Sequence, residues 1–103
     1  MAPSYILSKE AEKDWINIAK YTLENYGERQ LQTYTNSLLK CIDDLSNQVG
    51  QYKKLDISGH QVLNIRCNKH YIFALRQEDK SLIVLAILHE RIELIQRLKV
   101  RLK

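Results

Sequence analysis

A chain of 103 residues, 45% hydrophobic and 27% charged, fits one globular domain spanning 1–103 and leaves no room for a second. Its longest apolar run, Leu82 to Leu88, is too short to cross a bilayer, and Met1-Ala2-Pro3-Ser4 lacks the basic and apolar regions of a secretory signal. A cytoplasmic location without a membrane partner is therefore expected, for a chain whose formal net charge is +4.

Tyr5-Ile6-Leu7 predicts a short strand. Ser8 is a good N-cap, and Glu10 and Glu12 follow where the helix dipole favours negative charge. Ala11, Trp15, Ile18, Ala19, Thr22, Leu23 and Tyr26 recur at helical spacing until Gly27 ends the pattern. A second helix opens near Glu28, with Leu31, Tyr34, Leu38, Cys41, Ile42 and Leu45 as its apolar stripe, and stops between Asn47 and Gly50. The short connection at Tyr26-Gly27-Glu28 predicts an antiparallel helical hairpin.

Gln51 to His60 reads as an irregular basic loop with a turn at Ser58-Gly59. The period then changes. Leu63, Ile65 and Cys67 alternate with Asn64 and Arg66, which marks a half-exposed strand. Asn68-Lys69 is a tight turn, and Tyr71 to Leu75 is a strand apolar on both faces. Gln77 to Ser81 supplies another turn, and Leu82 to Leu88 is the most buried strand, its β-branched content favouring strand over helix. From Glu90 onward, Ile92, Ile95, Leu98 and Leu102 return to helical spacing. The expected class is α+β, in the order β-α-α-β-β-β-α. An N-terminal strand and helical hairpin pack on a small antiparallel sheet, and a short basic helix follows.

Charge is unevenly placed along this order. Residues 1–48 carry 5 basic and 7 acidic side chains, whereas 49–103 carry 11 and 5. Residues 91–103 set Arg91, Arg97, Lys99, Arg101 and Lys103 against Glu93 alone. Such an end suits an acidic partner, protein or nucleic acid. No recognition helix or basic–aromatic platform accompanies it, so direct nucleic-acid binding by this chain alone is not expected.

Cys41 and Cys67 are the only cysteines. Two do not make a disulfide framework, Cys41 reads as a small core residue, and a reducing compartment suits both. Cys67 and His70 form a C-x-x-H pair, with His60 and His89 elsewhere, but zinc needs four converging ligands. No metal or other cofactor is expected.

The order and local strings resemble the RelE/ParE toxin superfamily of bacterial toxin–antitoxin modules, more closely its ParE branch. Tyr5-Ile6-Leu7-Ser8 with Ala11-Glu12-x-Asp14 resembles its first strand and helix. Ile18-Ala19-x-Tyr21-Thr22, Tyr26-Gly27, Tyr34 and Leu38 are similar to its helical hairpin. Gly59 stands at its turn glycine, His70-Tyr71-Ile72-Phe73 resembles its H-x-I-F strand, and Ile87 to Glu93 resembles I-L-H-x-R-M-D. Departures lie at His60-Gln61, where many relatives carry Tyr-Arg, at Ala74, a frequent tyrosine, and at Asn47 to Gly50, which lacks a proline.

The resemblance implies a non-enzymatic toxin that poisons DNA gyrase and is neutralised by a ParD-like antitoxin with an amphipathic C-terminal tail. His89, Arg91, Arg97, Lys99 and Arg101 are the candidate gyrase contacts. Trp15, Tyr21, Tyr34, Arg66 and Arg76 are candidates for the antitoxin, with Trp15 and Tyr34 better read as core packing and Tyr21 the better surface contact. The alternative is a RelE-like, ribosome-dependent endoribonuclease, which needs a base, an acid and cations around the scissile phosphate. Its groups would come from His89, Arg91 and Arg66, with His70 and Arg76 also available. The absent Tyr-Arg pair and tyrosine remove a cation and a phenol from that machinery.

Overall fold

The computed structural model describes residues 5–47, 50–76, 81–89 and 94–102, the side chains of 94–97 excepted. It is a mixed α+β structure with one long helix and a five-stranded sheet. The elements are β1 (Tyr5–Leu7), α1 (Lys9–Ser46), β2 (Lys53–Ile57), β3 (His60–Cys67), β4 (His70–Arg76), β5 (Leu82–His89) and α2 (Leu94–Arg101). The sheet order is β1-β5-β4-β3-β2.

Ser8 caps α1 as its side chain predicts, its Oγ accepting from the Ala11 N–H at 3.1 Å. The expected break falls at Gly27, the single non-helical residue within Lys9–Ser46, at φ 88° and ψ 175°. A side chain there would be strained, so glycine is what the turn requires. No separate loop divides the two halves. Leu23 and Tyr26, read as part of the apolar stripe, are 44% and 65% exposed.

Two expectations for the sheet are corrected. Lys53 to Ile57 is a strand, not loop, pairing antiparallel with β3 from Lys53↔Asn64 to Ile57↔His60. Its polar, edge-facing composition hid it, since four of its five residues are charged or only partly buried and the lysines shield the free edge. The Ser58-Gly59 turn is where expected, with both residues at positive φ, as a two-residue hairpin turn demands. Second, the sheet is mixed. β1 pairs parallel with β5, Tyr5↔Leu82 to Leu7↔Val84, which α1 allows because it carries the chain away before the sheet begins.

Strict alternation also fails in β5, for a local reason. Phe73 pairs with Ala86 and Ala74 with Val84, leaving Leu85 as the extra residue of a bulge. The bulge flips the side-chain parity. Leu82, Val84 and Ile87 face α1, packing with Leu38, Ile42 and Leu45 from the helix and Leu63, Ile65 and Ile72 from the sheet. Ile83, Leu85, Ala86 and Leu88 face the other way, with Phe73, Val62 and Leu98 of α2. The sheet is thus covered on both faces, which explains why β4 and β5 read as continuous apolar runs.

Candidate functional site

A groove opens between α1, on either side of Gly27, and one end of the sheet. Its walls are the two halves of α1, with Ile18, Tyr21 and Tyr26 before and just at the break and Tyr34 after it. Its far side is the β3–β4 turn, Asn68 to His70, with His89 from the end of β5. The enclosed volume is about 770 Å³. Tyr21 and Tyr26 meet edge to face, with centroids 6.3 Å apart, and both are mostly exposed. Two exposed aromatic rings at one rim are unusual for a surface with no partner.

The floor is polar and organised. His70 and His89 stand directly opposite each other on β4 and β5, their rings edge to face at 5.2 Å. The Tyr34 hydroxyl is hydrogen-bonded to His70 Nδ1, and the two rings are 5.4 Å apart. Burial pushes the Tyr34 phenol up to about 12, so it is neutral at any physiological pH. Among the described residues that line the groove, Lys69 is the one lysine or arginine and none is a carboxylate.

The remaining candidates separate from this groove. Trp15 packs partly buried against the core between α1 and the sheet. Arg66 is exposed near the β3–β4 turn, its Nε donating to the Asn68 carbonyl at 3.1 Å and its guanidinium 5.8 Å from the Tyr71 ring. It shares the face of α2, opposite the groove. Arg76 lies on the α1 face at the far end of β4 and donates to the last carbonyls of α1, Ser46 at 2.9 Å and Leu45 at 3.4 Å. That position suits a cation at a helix C-terminus. Arg76 and His70 lie at opposite ends of β4, roughly 20 Å apart along the strand. Of the described members of the nuclease set, His70 and His89 meet, while Arg66 and Arg76 do not join them.

Lys99 is exposed on α2. Arg91 and the side chain of Arg97 lie outside the described residues. Arg101 behaves differently from the surface contact expected of it. Its Nη1 and Nη2 reach Asp14 Oδ2 and Oδ1 at 2.6 and 3.0 Å, and Nη1 also donates to the Leu85 carbonyl at 3.2 Å. The hydrogen bond to Asp14 raises the guanidinium pKa further. Asp14 Oδ2 also accepts the Ile87 N–H at 3.0 Å. β1 covers only Leu82 to Val84, so these contacts satisfy the β5 edge beyond it. The cysteines likewise depart from expectation: Cys41 and Cys67 are joined as a disulfide.

Sequence patterns missed this latch because its partners lie 87 residues apart. Asp14 was visible only as part of a family-like string. The Tyr34–His70 contact had a faint signal, a polar-tipped aromatic on an otherwise aliphatic stripe.

Among the described residues, no helix is long and apolar enough to cross a membrane, and no group of three or more His, Cys, Asp or Glu side chains is placed to hold a metal. The model of the ParE toxin of type II toxin–antitoxin systems, parDE, matches residues 5–94. The chain is also 37% identical over 100 residues to Toxin ParE of Escherichia coli, covering 97% of each chain. The match includes the groove, the histidine pair and Asp14. The chain belongs to the ParE family of toxins of type II toxin–antitoxin systems, and an antitoxin is its cognate partner.

Proposed function

We propose that this toxin acts by binding DNA gyrase rather than by catalysis, and that a ParD-like antitoxin neutralises it through the groove beside Gly27. The observation that carries the reading is the groove itself. Aromatic and aliphatic rims fit the apolar side of an amphipathic helix, and a lining with Lys69 and, among its described residues, no carboxylate favours an acidic one. Tyr21, Tyr26 and Tyr34 are its anchors, so Tyr21 keeps the role expected of it and Trp15 serves the core. Arg66 and Arg76 lie outside the groove, where a tail continuing around the domain would meet them.

For the gyrase surface, His89, Arg91, Arg97 and Lys99 remain as contacts. Arg101 leaves that set because its charge is answered by Asp14. His89 lies in the groove, so an antitoxin seated there covers part of the gyrase-binding surface. Neutralisation then follows from simple occlusion. The separation of Arg66 and Arg76 from the two histidines favours this reading over the ribonuclease.

The test adds purified protein to gyrase supercoiling reactions and, separately, to translating ribosomes carrying mRNA. Inhibited supercoiling with intact mRNA is expected, weakened at least tenfold by His89→Ala or Lys99→Ala. Codon-linked mRNA cleavage with supercoiling untouched would replace this reading with the ribonuclease.

A further inference from the structure

The groove has a covalent tie behind it that its binding role does not require. Cys41 lies on α1 one turn beyond the groove residue Ser37 and two turns beyond Tyr34. Cys67 ends β3, opposite His70, immediately before the turn that forms the far wall. The disulfide joins them across 6.2 Å of Cα separation and 26 residues of sequence, a spacing within the ordinary range for such a bond. It therefore binds the same helix to the same hairpin as the Tyr34–His70 hydrogen bond does.

Three features set this bond apart from a purely structural staple. The chain has only these two cysteines, so reduction and reoxidation have one outcome each and no shuffled forms. Its two residues differ in exposure: Cys67 is 3% exposed, whereas Cys41 is only partly buried. And the apolar contacts of Leu38, Ile42 and Leu45 with the sheet dock this half of α1 alongside the bond.

We infer that Cys41–Cys67 is a reversible thiol–disulfide exchange site, entered at Cys41, whose state sets how firmly the two walls of the groove are held. The co-reactant class is a protein or small-molecule dithiol. Its thiolate attacks Cys41 Sγ, the Cys41–Cys67 bond breaks, and Cys67 leaves as a thiolate that takes a proton from solvent. The dithiol's second thiolate then attacks the mixed disulfide and releases Cys41, which is protonated in turn. The protein disulfide gains two electrons and two protons, and the dithiol becomes a disulfide. In the reduced chain the wall formed by α1 and the wall formed by the β3–β4 turn are tied only by side-chain contacts, Tyr34–His70 among them. A looser groove lacks the preorganisation that favours a bound segment. The consequence for neutralisation rests on the groove being the antitoxin site; the exchange chemistry and the loosening do not.

The experiment follows amide hydrogen exchange by mass spectrometry in the full chain, oxidised with glutathione disulfide or reduced with dithiothreitol, with free thiols counted in parallel. No free thiols are expected in the oxidised chain and two in the reduced one. Reduction should speed exchange about tenfold in 28–41 and 66–71 while leaving 82–87 unchanged. Cys41→Ser should exchange like the reduced chain under both conditions. Two free thiols persisting under glutathione disulfide, or equal exchange in both states, would overturn the inference. Faster exchange throughout the chain would overturn it too, because the bond would then be holding the fold. Gyrase activity enters none of these readouts, so their failure is distinct from failure of the toxin reading.

Discussion

Tyr34 shows how one residue can serve packing and site at once. Its ring belongs to the apolar stripe of α1, packed against the core, while its hydroxyl reaches His70 across the groove floor. Losing that hydroxyl by Tyr34→Phe should cost about 1 kcal/mol at neutral pH, the usual worth of a partly buried hydrogen bond, as read by chemical denaturation. The same substitution has a pH signature. Phenols ordinarily titrate near 10, and burial pushes this one up to about 12. The folded chain therefore holds the Tyr34 proton where the unfolded chain gives it up. The stabilisation is complete below pH ~10 and is lost as pH rises toward 12. Tyr34→Phe should lose less stability than the parent chain across that window. An identical alkaline fall in both would place the phenol's titration elsewhere.

At the scale of elements, α2 is short but closes the second face of the sheet. Leu98 is fully buried among Phe73, Leu85 and Leu88. Leu98→Ala should cost about 2–5 kcal/mol, the range for truncating a core leucine, measured as a shift of the denaturation midpoint at constant slope. Its partner face was legible in sequence only in part. The apolar runs of β4 and β5 announced burial on both sides, yet the parity of β5 could not be read, because the bulge at Leu85 is set by pairing with β4. The turns were legible because Ser58-Gly59 and Asn68-Lys69 carry residues that accept positive φ. Lys53 to Ile57 was not, since an edge strand keeps charge where an inner strand would keep valine. The parallel register of β1 depends on topology, which a three-residue strand cannot encode. Of the site, the individual aromatics and histidines were visible. Their grouping was not, because His70 and His89 become neighbours only through the register of β4 on β5.

At the scale of the molecule, one ion pair gathers the N-terminal helix, strand β5 and the C-terminal helix. Arg101 on α2 and Asp14 on α1 meet over the edge of β5, with side chains 16% and 13% exposed, and together they satisfy the Ile87 N–H and the Leu85 carbonyl. The two helices otherwise lie on opposite faces of the sheet, so this latch couples layers that do not share a core. It also ties down the C-terminal end of α2, two residues from Lys99. Breaking the pair from one side leaves a charge and a strand-edge group with poor partners. Asp14→Asn should therefore cost about 3 kcal/mol. The loss should change little between low and high salt, because a sheltered pair is weakly screened. The sharper comparison is functional. If Arg101 serves the latch and the toxin acts on gyrase as proposed, Asp14→Asn and Arg101→Ala should weaken that inhibition together, through a displaced α2, and Lys99→Ala should weaken it without changing the denaturation midpoint. Loss of inhibition in Arg101→Ala alone, with Asp14→Asn fully active, would return Arg101 to the gyrase-binding surface.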